Sequence, residues 1–94
     1  MKINETYKNG QKISEQTGKT LTYYYKSGIV KAKGDFVNEM MEGKWLFYYE
    51  NGKLWQEAYF KKNQKEGEWK RYDKAGKLEF HAEFNNGKQI TKHK

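Results

Sequence analysis

The stretch of sequence that decides the fold reads Gly43-Lys44-Trp45-Leu46-Phe47-Tyr48-Tyr49-Glu50-Asn51-Gly52. A second stretch, 24 residues later, reads Gly67-Glu68-Trp69-Lys70-Arg71-Tyr72-Asp73-Lys74-Ala75-Gly76. Gly, Trp, Tyr and a final Gly return with the same spacing, and the agreement continues beyond them to Phe60 and Phe84. Self-similarity at a fixed period indicates a repeat architecture.

The same phase is occupied one unit earlier by Leu21, Tyr24 and Gly28. Three units of 24 residues therefore cover residues 19–90. Residues 1–18 hold a degenerate repeat fragment, of which the part from Lys8 to Gly18 is interpreted as a loop. Residues 91–94 form a tail.

Composition indicates a folded but thin protein. Only 35% of the 94 residues are apolar, against the ~45–50% of an average domain, so a thick core is excluded. Aromatic residues make up 17%, whereas disordered chains are poor in them. The chain has no cysteine, which excludes disulfides and thiolate metal sites, and it has no apolar run of transmembrane length.

Each unit carries a glycine-containing dipeptide between two apolar runs. Asn51-Gly52 is the clearest case, because two-residue type I′ hairpin turns need positive φ at both central positions. The corresponding dipeptides are Ser27-Gly28 and Ala75-Gly76. Turns between units are predicted at Asn38-Glu39, Lys62-Asn63 and Asn86-Gly87. The predicted fold class is all-β, a single-layer antiparallel meander of successive β-hairpins.

The turns also predict the strand register. Within hairpins Trp45 faces Ala58, Trp69 faces Ala82 and Leu21 faces Gly34, so each large side chain meets a small partner. Near the hairpin tips Tyr25 faces Val30 and Tyr49 faces Leu54. Between units Ala32 faces Trp45 and Gln56 faces Trp69, and no bulge is required.

Strand alternation sorts the side chains onto two faces. The mainly apolar face is predicted to hold Leu21, Tyr23, Tyr25, Val30, Phe36, Met41, Trp45, Phe47, Tyr49, Leu54, Phe60, Trp69, Leu78, Phe80 and Phe84. The mixed face is predicted to hold Tyr24, Tyr48, Tyr72, Trp55, Tyr59 and Leu46 among charged residues and Thr.

The pattern Gly-x-Trp-x-x-Tyr-Tyr-Glu-Asn-Gly-Lys-Leu, followed by Phe-Lys-x-Asn-x-Lys-Glu-Gly-Glu-Trp, resembles the MORN-repeat variant (membrane occupation and recognition nexus). It is similar to the version found in bacterial proteins labelled as the YwqK family of antitoxin components. The resemblance covers about residues 19–90, although Leu21 stands where the repeat has Trp. It implies an elongated, curved antiparallel sheet that mediates protein–protein or membrane contacts.

Catalytic chemistry has little support in the sequence. The two histidines, His81 and His93, are not brought together by the register, so no metal site is expected. Carboxylates face each other at Asp35 and Glu42, and at Glu68 and Glu83, on a sheet open to water. Such pairs are interpreted as surface charge and not as acid–base groups. We therefore expect a non-enzymatic protein without a cofactor.

The chain carries a net charge of +7, from 18 Lys and a single Arg against 12 acids. The lysines are spread evenly, which is typical of a solvated surface. The candidate partner-binding residues are aromatic side chains of the mixed face: Tyr24, Tyr48, Trp55, Tyr59 and Tyr72. Such side chains are enriched at interfaces, but they could also serve only to stiffen the sheet.

A protein partner, of the antitoxin kind that the resemblance implies, is the favoured expectation. Peripheral binding to anionic membrane lipids is the alternative, and nucleic acid ranks last because base reading relies on Arg forks. A homo-oligomer formed through the apolar face or the open sheet edges is a further expectation. The compartment stays open: cytoplasmic in the absence of a signal peptide, exported if Met1 replaces a removed leader.

Overall fold

The computed structural model describes residues 5–90, and the predicted tail at 91–94, with His93, lies outside them. Eight strands form one open sheet in the order of the sequence, and every neighbouring pair is antiparallel. The predicted hairpin meander is therefore confirmed. The strands are β1 (Ser14–Thr17), β2 (Thr20–Tyr24), β3 (Val30–Val37), β4 (Met40–Tyr48), β5 (Leu54–Lys61), β6 (Gln64–Tyr72), β7 (Leu78–Asn85) and β8 (Lys88–Ile90).

The sheet is a single layer that measures 51 × 34 × 17 Å. Residues 5–90 include no helix of the length and hydropathy that crossing a membrane requires. Strand β1 corrects the sequence interpretation, which had a loop from Lys8 to Gly18: Glu15 pairs with Thr22 and Gln16 with Leu21. The N-terminal fragment thus extends the sheet by one more strand.

The hairpin tips differ from the predicted type I′ turns. At the β4–β5 tip the Gly52 N–H donates to the Tyr49 carbonyl (2.9 Å) and the Tyr49 N–H to the Lys53 carbonyl (2.8 Å). Only Gly52 in this loop has positive φ, +89°. A type I turn followed by a left-handed glycine explains both bonds. Equivalent bonds close the loops that begin at Tyr7, Tyr25 and Asp73.

The type I′ geometry occurs instead between the units. Both central residues have positive φ in the turns Asn38-Glu39, Lys62-Asn63 and Asn86-Gly87. These connections make the tight turns, whereas the connections with Asn-Gly, Ser-Gly and Ala-Gly make the looser loops.

Bulges also shift the register, contrary to the prediction that none is needed. In β3–β4, Lys33 pairs with Leu46 but Asp35 pairs with Glu42, so Gly34 lies opposite three residues of β4. Gly43, at the start of these three residues, has a φ of +70°, a backbone conformation that glycine adopts readily. Ala32 therefore faces Phe47 and not Trp45.

The same bulge recurs one unit later, where Ala58 lies opposite a three-residue segment of β6 that begins at Gly67. Gln56 therefore faces Arg71 and not Trp69. Bulges at the tips also move Val30 opposite Tyr24 and Leu54 opposite Tyr48, each one residue from its predicted partner.

The predicted pairs within hairpins are confirmed: Trp45 with Ala58, Trp69 with Ala82, and Leu21 with Gly34. Two buried clusters, one around Trp45 and one around Trp69, share Phe47 and Phe60 as packing partners. Both tryptophans therefore lie on the same face of the sheet. We call this surface the apolar face.

Candidate interaction surface

An apolar groove of about 360 Å³ lies on the apolar face, over strands β2 to β5. Its floor includes the buried residues Leu21, Ala32 and Trp45. Its other lining residues are Tyr23, Tyr25, Lys31, Phe36, Met41, Phe47, Tyr48 and Trp55. A groove of this size, lined mainly by aromatic and aliphatic side chains, is typical of binding sites.

Trp55 lies on the apolar face, whereas the sequence placed it on the mixed face. Its ring contacts Phe47 edge-on, with centroids 6.1 Å apart, and Tyr49 at 6.3 Å. The cause is the bulge at the hairpin tip. Phe47 pairs with Gln56 and Tyr48 with Leu54, which leaves Trp55 as the extra residue of β5. A bulged residue departs from the alternation on which the prediction depended.

The five candidate partner-binding residues do not form one cluster. Tyr48 and Trp55 line the apolar groove. Tyr24 lines a separate depression on the mixed face and donates its hydroxyl to Glu15 (3.0 Å). Tyr59 lies between Ala58, which is buried in the core, and Phe60, which packs against it. Alternation therefore directs Tyr59 to the mixed face, where it is 38% exposed.

Tyr72, the fifth candidate, is half-buried. Its carbonyl oxygen accepts the hydroxyl of Tyr49 at 2.7 Å. The corresponding carbonyls of Tyr24 and Tyr48 accept the hydroxyls of Tyr7 and Tyr25, both at 2.7 Å. The doublets Tyr24-Tyr25 and Tyr48-Tyr49 thus join successive hairpins. The second tyrosine of each doublet donates its hydroxyl to the backbone carbonyl at the Tyr48 or Tyr72 position of the next unit.

Each of these three acceptors lies at a register shift, at Tyr24, Tyr48 and Tyr72. The two remaining shifts are served in the same way by tryptophans. Trp45 Nε1 donates to the Asp35 carbonyl (2.9 Å), and Trp69 Nε1 donates to the Tyr59 carbonyl (3.0 Å).

A bulge locally interrupts the ladder of backbone hydrogen bonds. At each of the five register shifts recorded in residues 5–90, a tyrosine hydroxyl or a tryptophan Nε1–H donates to a backbone carbonyl. We call these groups the ring donors. Sequence reasoning missed this role. The 24-residue spacing of the Tyr-Tyr doublets is the signal that could have indicated it.

The tyrosine environment changes proton affinity as well. Desolvation raises the pKa of Tyr25, with a further contribution from the nearby Glu50 carboxylate. Desolvation also raises the pKa of Tyr49, assisted by Glu79 and Asp73 and opposed by Arg71. The hydrogen bond to Glu15 is the main cause of a raised pKa at Tyr24. All three hydroxyls are therefore held as neutral donors.

The two faces use charge differently. On the apolar face, cations lie over aromatic rings: Lys31 over Tyr25 at 5.6 Å and Lys65 over Trp69 at 4.8 Å. The ion pairs lie elsewhere in the described part of the chain. Glu68 pairs with Lys70 (3.8 Å) and with His81 (3.7 Å) on the mixed face, and Lys12 pairs with Glu15 (3.7 Å). On the apolar face, these two cations thus interact with aromatic rings, whereas the cations named on other surfaces interact with carboxylates.

The predicted carboxylate pairs are adjacent in the register, with Asp35 opposite Glu42 and Glu68 opposite Glu83. Glu42 accepts the backbone N–H of Lys62 at 3.0 Å, and Glu68 has the ion pairs described above. Residues 5–90 contain no group of three or more His, Cys, Asp or Glu side chains arranged to hold a metal ion. Glu42 and Glu68 thus make local contacts with neighbouring strands and turns.

Residues 41–62 and 65–86 each match the family model of the MORN repeat variant. These two segments, a little less than half of the chain, are similar to MORN repeats, and each runs from the start of an even-numbered strand, β4 or β6, to the turn that follows the next strand. MORN repeats are non-catalytic modules generally associated with binding to proteins or membrane lipids. No curated protein and no solved structure matches the chain significantly.

Proposed function

We propose that the chain is a non-enzymatic repeat module that binds another protein through its apolar face. The observation that carries the proposal is the open groove of about 360 Å³, lined by large rings in a sheet that residues 5–90 build as a single layer. Monomeric proteins seldom leave a contiguous apolar surface of this kind uncovered unless it binds a partner. Trp55 is the best anchor, because it is the largest side chain lining the groove that belongs to neither buried cluster.

The test compares the two faces. Trp55→Ala removes a half-buried ring from the groove, and Tyr59→Ala removes an exposed ring from the mixed face. Capture from the native cells by wild type and by Tyr59→Ala, with loss for Trp55→Ala at an unchanged melting temperature, is the expected result. Capture that survives Trp55→Ala and is lost with Tyr59→Ala would refute the choice of face.

Within this function, an antitoxin component is the role that the resemblance to the bacterial antitoxin family suggests. The partner would then be a toxin whose activity the chain suppresses. Co-expression of the captured partner with wild type should restore growth, and co-expression with Trp55→Ala should not. Equal growth with both variants would argue against an antitoxin role at this surface.

Peripheral membrane binding is the second candidate, favoured by the net charge of +7 and by the cations that lie over rings on the apolar face. Aromatic side chains and lysines together suit the interface of an anionic bilayer. Sedimentation with phosphatidylserine vesicles should show binding that weakens as salt increases. Absence of binding, or equal binding to neutral phosphatidylcholine vesicles, would reject this candidate.

A further inference from the structure

Arg71, the single arginine of the chain, lies on the apolar face. Its position corresponds to Phe47 one unit earlier, so a cation occupies a site where the repeat otherwise places a ring. The guanidinium carbon is 5.0 Å from the Phe80 ring centroid and 5.7 Å from that of Trp55. Because Trp55 also borders the groove, Arg71 extends the groove surface toward β7.

The guanidinium is held in place by an uncharged partner. Its Nε and Nη2 donate to Gln56 Oε1 at 3.3 and 3.2 Å, and Gln56 is the one buried polar residue in the described part of the chain. An arginine has five N–H donors. Among residues 5–90 no further protein acceptor receives the remaining ones, which leaves a fixed fork with free donors.

Residues 5–90 also provide no carboxylate within ion-pair distance of Arg71. The nearby Asp73 is engaged, since its Oδ1 accepts the backbone N–H groups of Ala75 and Lys77, both at 2.9 Å. Two apolar side chains of β7, the strand paired with the strand of Arg71, are exposed. Leu78 is 51% exposed and Phe80 is 37% exposed.

We propose that Arg71 binds an aspartate or glutamate side chain of the protein partner, with a neighbouring large apolar residue of the partner packed on Leu78 and Phe80. This inference rests on the proposed function. A guanidinium fork matches a carboxylate through two parallel hydrogen bonds. Arginine flanked by rings that exclude water is the usual composition of an interface hot spot.

A carboxylate suits the site better than a phosphate group. A phosphate monoester carries nearly two negative charges and is normally met by a cluster of basic side chains. The guanidinium of Arg71 contacts two rings and one uncharged amide and, among residues 5–90, belongs to no cluster of cations in direct contact, which corresponds to one carboxylate beside apolar surface. The partner motif is therefore an acidic residue next to Trp, Phe, Leu or Met.

The experiment is selection from a random peptide library displayed on phage, with the full chain as bait. Wild type should enrich peptides in which Asp or Glu adjoins a large apolar residue. Arg71→Gln should still enrich apolar peptides but lose the preference for the acid. A synthetic peptide of the selected sequence should bind Arg71→Gln about 10- to 100-fold more weakly than wild type, as expected for loss of a charged hydrogen bond.

Two matched variants separate the fork from the charge. Lys65→Gln removes another cation that lies over rings of the same face, and it should keep the acid preference. Arg71→Lys retains the charge without the fork, and it should recover only part of the affinity. Melting temperatures show whether each variant is folded.

The outcomes distinguish the inference from the proposed function. Apolar enrichment without acid preference in wild type would overturn the role of Arg71 but leave the groove as a protein-binding surface. No enrichment at all would overturn both. Loss of binding to phosphatidylserine vesicles in Arg71→Gln, without acid preference among peptides, would assign the site to lipid headgroups and also overturn the proposal.

Discussion

Gly34→Ala provides the sharpest test of the packing. A Cβ at Gly34 would overlap the Cγ and Cδ2 atoms of the Trp45 indole. Trp45 is only 1% exposed, and its Nε1 donates to the Asp35 carbonyl beside the glycine. The φ of Gly34 lies outside the left-handed region, so the added methyl group acts through overlap and not through backbone strain.

The magnitude follows from two contributions. Inserting a methyl group into a packed contact costs about 1–3 kcal/mol. Displacing the indole also lengthens its hydrogen bond to Asp35, which contributes about 0.5–1.5 kcal/mol. We expect the free energy of unfolding to fall by about 2–4 kcal/mol. For a chain of this size the melting temperature should then fall by about 10–30 °C.

Urea unfolding followed by tryptophan fluorescence measures this loss. The control is Gly43→Ala, where an added Cβ meets no atom within 4 Å but φ is +70°, so only backbone strain should appear. In a Trp45→Phe background the cost of Gly34→Ala should shrink, whereas the cost of Gly43→Ala should not. A loss below about 1 kcal/mol for Gly34→Ala, with no coupling to Trp45, would refute the packing of the indole on the glycine.

Three further predictions concern the hairpin connections. Tyr49→Phe removes the hydroxyl that reaches the Tyr72 carbonyl at 2.7 Å, and it should lower the free energy of unfolding by about 1 kcal/mol in urea titrations; an unchanged midpoint would contradict the role of the ring donors. The raised pKa values of Tyr25 and Tyr49 mean that the folded state keeps protons that the unfolded chain has lost, so stability should fall as the pH rises above about 10. That fall, measured by denaturation at a series of pH values, should be less steep in Tyr49→Phe. Glu39 has a φ of +64°, and Glu39→Gly should raise the melting temperature, because glycine adopts this conformation without the cost of about 1–2 kcal/mol that a side chain carries; a lower melting temperature would contradict this.

The 24-residue period made much of the fold predictable. Repetition of Trp45 as Trp69 fixed the phase of the units, and pairing of each tryptophan with Ala58 or Ala82 fixed the register within hairpins. A one-residue slip in either hairpin would have exchanged its two faces. This constraint explains why the predicted apolar face and the observed one share their buried members.

The bulges were not predictable, because a bulge changes the residue count on one strand while leaving the pattern of apolar residues nearly intact. The bulge at Gly43 adds two residues to β4. Because side chains alternate with a period of two, the residues on either side of the bulge keep their faces, and Met41 and Trp45 still pack in one cluster. One extra residue at the tip places Trp55 on the apolar face. The candidate site was misplaced for this reason, since its main aromatic anchor occupies a bulge.

The bulges explain how the single-layer sheet of the described residues can leave its apolar face open. Hydrogen bonds from ring donors join neighbouring hairpins. In the β4–β5 hairpin, Trp45 Nε1 donates to the preceding hairpin at the glycine bulge, and the Tyr49 hydroxyl donates to the following hairpin at the loop end. These bonds satisfy backbone carbonyls where the ladder is interrupted, so the aromatic residues that carry them are required by the fold. Trp55, Leu78 and Phe80 have no such role. These three large apolar side chains lie near Arg71, whose remaining N–H groups have no protein acceptor among residues 5–90. Because the fold does not require them, binding of a partner is the reason we propose for their exposure.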